Sequence, residues 1–371
     1  MTKSKVYFTD MKTVQGVSLL DKLEKVIKQA GIDKIDFENK FVAIKIHFGE
    51  LGNLAFLRPN FARRVVDVIK SKGGKPFLTD CNTLYVGSRK NALEHLDTAY
   101  QNGFSPFSTG CHVIIADGLK GTDETLVPLK GTDYVKEAKI GHAIMDADIV
   151  ISLNHFKGHE MTGFGGALKN LGMGCGSRAG KMEQHQSGKP QVNPAKCKEC
   201  RQCAKICAQG AISYGADGIA HIDHKKCVGC GRCIGVCNFD AISNPNYHAN
   251  EVLCKKMAEY ALAVVKDRPH FHINIVNHVS PNCDCHKEND KPIIPDVGMF
   301  ASFDPVALDQ ACADMCNKQP IIPGSQLDLA EKHKGCDHFG NSAPDTHWQD
   351  CLEHAEKLKI GTRDYDMVTI K

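Results

Sequence analysis

Eight cysteines between positions 197 and 237 have the spacing of metal-cluster ligands. They run Cys197-x2-Cys200-x2-Cys203-x3-Cys207 and, thirty residues on, Cys227-x2-Cys230-x2-Cys233-x3-Cys237. The same tail follows each run, Ala211-Ile212 and Ala241-Ile242, so the segment duplicates one small unit. Three thiolates two residues apart can wrap one face of an iron–sulfur cube, while the fourth cysteine of each run crosses to the other cluster. On that pattern Cys197, Cys200, Cys203 and Cys237 are expected to hold one [4Fe–4S] cluster, and Cys227, Cys230, Cys233 and Cys207 a second. Zinc competes for Cys-x2-Cys pairs, but it needs four ligands in two pairs rather than two runs of four. Ala208 and Asn238 stand where a proline commonly follows the fourth cysteine, a change that removes no ligand.

A second group lies upstream, in the glycine-rich stretch from Asn154 to Lys181. So many glycines exclude one continuous stable helix and suggest backbone brought close to something bulky. Among them stand His155, Lys157, His159, Lys169, Asn170, Cys175, Arg178 and Lys181, with His185 just beyond. A flexible linker is the alternative, but linkers seldom carry so many histidines and lysines. Glycine amides and lysines suit phosphate or carboxylate, and neutral imidazoles suit a transition metal or proton transfer. An anionic cofactor or an additional metal in this loop is therefore expected. His159 and His155 are the candidates to move protons. Lys157, Lys169 and Arg89, with Gly163, Gly165, Gly166 and Asn170, are the candidates to hold the anion. A third group, Cys283-Asp-Cys285-His286, reads equally as a metal-binding turn and as a loop with free thiols.

The elements that must position these groups alternate apolar runs with amphipathic stretches, the pattern of a parallel α/β sheet. Strands are predicted at 41–48, 76–79, 112–116, 148–153 and 271–276. Helices are predicted at 59–72, 88–102, around 135–143, and at 250–266, 305–316 and 348–359. Asp304 reads as a cap for the helix that starts at Pro305. His47, Asp80, Asp117, Asn154 and His155 gather where strands end, and open α/β sheets bind ligands at the carboxyl ends of their strands. These ends are expected to form one rim, with Asp80 and Asp117 orienting the catalytic groups and Asp296 and Ser302 able to face it.

The chain has 371 residues, 42% hydrophobic and 24% charged, enough for two or three domains. A net charge of +3 without a long basic run gives no argument for nucleic acid. No stretch approaches transmembrane length, and the opening residues lack an apolar signal core. Eighteen cysteines in such a chain imply reduced thiols and metal, hence a cytoplasmic and strictly reducing, anaerobic setting. Pro190, Pro194 and Pro245 punctuate the cysteine segment, which divides the chain into 1–190, 191–246 and 247–371. The fold class expected is a parallel-sheet α/β module whose two parts flank an inserted α+β unit with two [4Fe–4S] clusters.

Taken together these stretches resemble the family catalogued as domain of unknown function 362, in its form with an inserted bacterial-type ferredoxin domain. The match rests on Val42-Ala-Ile-Lys-Ile-His-Phe-Gly-Glu50, Asp80 with Leu84, Tyr85 and Arg89, and Ala116-Asp-Gly-Leu-Lys-Gly121. It continues through His155-Phe-Lys-Gly-His159, the run Gly163–Gly174, the eight cysteines, Cys283-Asp-Cys285 and Asp304-Pro-Val-Ala-Leu-Asp309. The loop His159-x3-Gly163-Phe-Gly165-Gly166-x2-Lys169, followed by His185, is also similar to the signature of nickel-pincer lactate racemases. That resemblance implies Lys169 as the pincer attachment site, His185 as a nickel ligand and His159 as an acid/base, with His47 a candidate for the opposite face. Leu168 departs from that signature, whose loop is more basic, and racemases carry no clusters. The function expected is an iron–sulfur oxidoreductase that exchanges electrons with a redox partner protein and acts on a small anionic substrate in the loop pocket. The alternatives are an electron-transfer or redox-sensing protein without its own substrate, and a metal-pincer enzyme acting on a hydroxy acid.

Overall fold

The computed structural model describes residues 3–371 apart from 85–86, 186–188, 228–232, 234–235, 238, 240, 244–249, 330–336 and 345. Eight strands form one sheet: β1 (Ser4–Asp10), β2 (Phe41–Lys45), β3 (Lys75–Asp80), β4 (Val113–Ile115), β7 (Ile149–His155), β14 (His270–Val276), β15 (Gly298–Ser302) and β16 (Tyr365–Thr369). Their order is β16-β1-β15-β14-β7-β2-β3-β4, and β15 alone runs against the others. The large sheet, parallel across most of its width, bears out the α/β expectation. The chain crosses outward from β2 through β3 to β4 and then returns to the other side of β2 as β7. That reversal sets a crevice at the carboxyl ends of β2 and β7, where open sheets bind ligands.

Helices cover both faces. On one, α1 (Leu19–Gln29) and α2 (Pro59–Lys70) bury Leu23, Val26, Phe61, Val65 and Ile69 against Ile44, Ile151 and Ile273. Helix α1 starts at a Ser18–Asp21 capping box, and α2 carries its proline in the first turn. On the other face α3 (Ala167–Cys175), α4 (Asn250–Val265), α5 (Pro305–Asn317) and α6 (Trp348–Lys357) pack together around Leu171, Ala258, Leu308 and Leu352. Asp304 caps α5, accepting from the amides of Val306 and Ala307, each at 2.9 Å, as its sequence indicates.

Two expectations are corrected. Residues 135–143 do not form a helix. Their core is β6 (Glu137–Gly141), the second arm of a hairpin with β5 (Glu124–Pro128), and a short helix follows only at His142–Asp146. The buried carboxylate of Glu259 on α4 accepts the amides of Asp133, Tyr134 and Val135, a tertiary anchor that favours the extended path. Nor does Ser302 face the rim. It ends the one reversed strand, so it lies at the opposite edge of the sheet and donates to the carbonyl of Lys5 at 2.8 Å. Within the cysteine-rich segment, β10 (Gln191–Val192) pairs with β13 (Ile242–Ser243), and β11 (Ile212–Tyr214) with β12 (Ala220–Ile222). The chain thus enters and leaves this segment side by side.

Candidate functional site

The glycine-rich stretch folds into a hairpin, β8 (Lys157–His159) with β9 (Gly163–Gly165), followed by α3 and a helix at Arg178–His185. Its glycines are crowded mostly by the protein itself. A Cβ at Gly158 would lie 2.5 Å from the carbonyl of Pro281, and one at Gly172 would lie 2.1 Å from that of Met257 on α4. At Gly166 it would lie 2.3 Å from Asp309, at Gly174 2.7 Å from Lys45 Nζ, and at Gly163 2.8 Å from Trp348. At Gly165, as at Gly174, the near space belongs to site lysines, with Lys169 Cδ at 3.1 Å and Lys157 Nζ at 3.4 Å. The bulky neighbour expected for the glycine run is therefore, for the most part, the fold.

A buried polar chain fixes this loop over the sheet. Asp309 accepts the first amides of α3, Ala167 at 2.7 Å and Leu168 at 2.9 Å, and also the side chain of Asn274 at 2.8 Å. Burial pushes the Asp309 carboxyl up to about 6. Asn274 accepts from Asn154, and Asn154 accepts from Asn170 at 2.7 Å. Asn170 in turn accepts from Lys45 Nζ at 2.7 Å, and Lys45 reaches Asp80 at 2.8 Å. Burial opposes the charge of Asp80, but Lys45 and the histidines near it outweigh that and hold the carboxyl well below its usual range.

The rim residues enclose two adjoining cavities. The inner one, about 80 Å³, is lined by Lys45, His47, Asp80, Arg89, Asn154, His155, Lys157 and Asn170. The outer one, about 350 Å³, is lined by Leu84, His159, Glu160, His185, Cys285 and His286. Thr83, Lys169, Met173 and Lys181 border both. Arg89 is braced by Glu50 at 3.1 Å and sits 3.1 Å from His47 Nε2. Burial and this guanidinium lower the His47 pKa to about 3, so the ring is neutral. Burial also lowers His185 to about 3, helped by His159 and the lysines facing it.

His155 is placed differently from a proton shuttle. Its Nδ1 lies 2.9 Å from Asp284, and its Nε2 lies 2.8 Å from the carbonyl of Asn277, so both nitrogens are engaged. Lys157 meets the same carboxylate at 3.3 Å. Asp117 stands at the end of β4, as expected, but it does not line either cavity. It accepts the backbone and side-chain nitrogens of Asn82, at 2.9 and 2.8 Å, and burial pushes its carboxyl up to about 6. Asp296, expected at the rim, instead caps the turn after β14 by accepting the amide of His278 at 2.7 Å.

Across the outer cavity the third group meets the second. Ligand atoms of His159, Cys283 and Cys285 all lie within 4.8 Å of one another, and so do those of Glu160, Cys285 and His286. Lys169 Nζ is 3.6 Å from Cys283 Sγ. A hydrogen bond from Cys285 pulls the Cys283 thiol well below its ordinary value; burial opposes it, and Lys169, Lys157 and His159 add to it. Cys285, as the donor, is pushed well above. For Lys169, burial works against the charge, but the Cys283 thiolate outweighs it and raises the pKa. Nothing in the sequence marks Asp284 as the anchor of His155 and Lys157. Lys45 did leave a signal, as a lysine within the apolar run of β2.

The seven described cysteines of the duplicated segment divide between two hollows. Cys197, Cys200, Cys203 and Cys237 line one. Cys207, Cys227 and Cys233 line the other, about 210 Å³, together with Gly121, Thr122 and Ala179 of the sheet module. Cys230 lies outside the described residues. The duplicated tails have matching contacts: the amide of Ala211 donates to Cys207 Sγ at 3.3 Å, and that of Ala241 to Cys237 Sγ at 3.2 Å. Leu84 and Met182 pack with Cys203, Cys233 and Cys237 in one apolar cluster. Lys90 Nζ donates to the carbonyl of Cys237 at 3.2 Å.

A curated relative, the thylakoid-associated protein sll1697 of Synechocystis sp., is 27% identical over 124 residues. The alignment covers 33% of this chain and 34% of the relative, so the chain spans about a third of the length of the curated protein it matches. Among solved structures, the lactate racemase apoprotein of Thermoanaerobacterium thermosaccharolyticum aligns at 10% identity and a TM-score of 0.39, over 74% of this chain and 51% of that one. A structural-genomics protein from Thermotoga maritima aligns at 12% and 0.35, over 91% and 58%. Similarities of that size carry no argument about chemistry. Among the described residues no helix is long and apolar enough to cross a membrane. A family model described as a domain of unknown function, DUF362, matches residues 42–314, and by that match, which spans most of its length, the chain belongs to the DUF362 family.

Proposed function

We propose that the protein is an iron–sulfur oxidoreductase in which a ferredoxin-like unit, residues 191–246, serves the cavity of the α/β module. Cys197, Cys200, Cys203 and Cys237 would hold one [4Fe–4S] cluster, and Cys227, Cys230, Cys233 and Cys207 the other. Bound there, the clusters supply one-electron transfer at low potential. The donor sets fit such groups: seven of the eight cysteines are described, all as free thiols, and they divide between two hollows in the crossed pattern. Amides directed at Cys207 and Cys237 suit sulfurs that carry negative charge.

The observation that carries the reading is the position of Leu84, which packs against Cys203 and Cys237 and also lines the outer cavity. Leu84 thus belongs both to the apolar cluster of the cysteine segment and to the wall of the outer cavity. In the cavity Lys169 and Lys181 attract a small anionic substrate, and Arg89, held by Glu50, orients it. His159 faces the cavity, while His155 fixes the loop through Asp284. A carrier without a substrate would have no use for these converging cations.

The test is protein purified without oxygen. About eight irons and eight sulfides per chain, with magnetic resonance of two interacting reduced clusters, are expected. Zinc in their place would overturn the reading. In a deletion strain, Lys169→Ala is expected to fail to restore function while keeping full cluster absorbance. Full rescue by that variant would leave a carrier and remove the substrate.

A further inference from the structure

We infer that His159, Cys283 and Cys285 form a mononuclear site for a thiophilic divalent transition ion of the zinc class, open toward the outer cavity. The site uses none of the eight cysteines of the duplicated segment and holds whether or not electrons reach the cavity.

Two thiolates and one imidazole are a donor set that selects zinc or ferrous-type ions over calcium or magnesium. Three protein ligands with a fourth position left to water or substrate is the arrangement of catalytic rather than structural zinc. The three ligand atoms come from two distant stretches of chain, His159 at the end of β8 and the cysteines in the turn after β14, yet they lie within 4.8 Å of one another. Zinc–sulfur bonds of roughly 2.3 Å would put two sulfurs roughly 3.8 Å apart, so small side-chain shifts suffice.

The turn is braced as a metal-binding loop would be. Asp284, between the two cysteines, is fully buried and paired with His155 and Lys157, and its carbonyl accepts the amide of Glu50 at 2.9 Å. The amide of Cys285 points to Cys283 Sγ at 3.4 Å. His159 Nδ1 accepts the amide of Met161 at 3.1 Å; ligation through Nε2 moves the ring proton to Nδ1, so that bond opens when the ion binds. Two thiolates and a dication sum to zero charge, so Lys169, 3.6 Å from Cys283 Sγ, faces a sulfur as donor and does not repel the ion. His159 and Cys285 line the 350 Å³ cavity, so an ion there meets whatever that cavity holds. Its chemistry would be to polarise a carbonyl or carboxylate oxygen of an anionic ligand that Lys169 and Lys181 attract.

The experiment is an anaerobic titration of the iron-loaded protein with Co²⁺, read as a difference spectrum. One equivalent is expected to bind, with tetrahedral ligand-field bands and sulfur-to-cobalt charge transfer. Both features should vanish in the Cys283→Ser, Cys285→Ser double variant, and the affinity should fall by at least about tenfold in His159→Ala, with cluster absorbance unchanged. Binding without charge-transfer bands, or equal binding by the double variant, overturns the proposal. Should that variant fail to fold, X-ray absorption at the zinc edge of the zinc-loaded native protein decides: two sulfurs and one nitrogen support the site, and oxygen-only or four-sulfur coordination sinks it. A Cys283–Cys285 disulfide in protein handled without oxygen would overturn it as well.

Discussion

His47 shows how strongly the surroundings govern the rim. It sits in the segment that follows β2, faces Arg89 and lies near Asp80, and burial with the guanidinium lowers its pKa to about 3. As pH falls from neutral, the unfolded chain takes up this proton first, near the ordinary histidine value of about 6.5. The native state resists until about 3, so the stability carried by neutral His47 is present above that ordinary value and is lost as pH drops through the interval. Replacing it by glutamine removes the titration. The urea midpoint of His47→Gln is expected to fall less steeply between pH 7 and pH 4 than that of the native chain, and parallel slopes would refute the assignment. The sequence shows His47, Asp80 and Lys169 because they punctuate strand ends or a glycine run. It hides Asp284, which between two cysteines looks like spacing, while its partners His155 and Lys157 lie well over a hundred residues away.

At the scale of elements, the glycine run is the clearest case of a correct observation with a changed cause. Close approach was legible, but what approaches is backbone. Gly172 lets α3 lie directly on α4, where a Cβ would meet the Met257 carbonyl at 2.1 Å. Neither helix can yield a carbonyl without losing its own ladder. Gly172→Ala is therefore expected to destabilise the protein by about 1–3 kcal/mol or more in chemical denaturation, as overpacking does in well-filled cores. A change within about 0.5 kcal/mol would mean that the two helices are looser than described. Helix positions on both sides of the cysteine segment could be read from apolar spacing and caps, as at Pro59 and Asp304. The error at 135–143 has a plain origin: Val135, Ala138 and Ile140 suit either period, and Glu259, which decides the path, comes from a helix far along the chain.

For the molecule as a whole, the cysteine segment meets the sheet module in part through Leu84 and Met182, which cluster with three of its cysteines. If the clusters are bound as proposed, Leu84→Ala admits water beside the site of Cys237. Solvent exposure is one of the levers on cluster potential, and water stabilises the more negative reduced state better than a dry apolar wall does. An upward shift of one cluster's reduction potential is expected in potentiometric titration, with iron content unchanged. No shift would mean that Leu84 does not shield the cluster. That the large sheet continues after the cysteine segment was legible, because strand and helix signals resume after Asn250. The terminal strands β1 and β16 were not assigned, since short strands at chain ends show little beyond alternation.

The pairing of β1 with β16 joins Ser4 to Tyr365, and β7 meets β14 across the whole cysteine segment. On a ribosome β1 must wait for β16, so the large sheet cannot close until Thr369 has been made. The cysteine segment has no such delay, because its own strand pairs, β10 with β13 and β11 with β12, span short stretches of chain. It can take shape while the module that will cover Cys203 and Cys237 is still unfinished. Birth order thus leaves Cys203 and Cys237 open to whatever the cell brings to them for a limited interval, before they pack with Leu84 and Met182 in the finished fold.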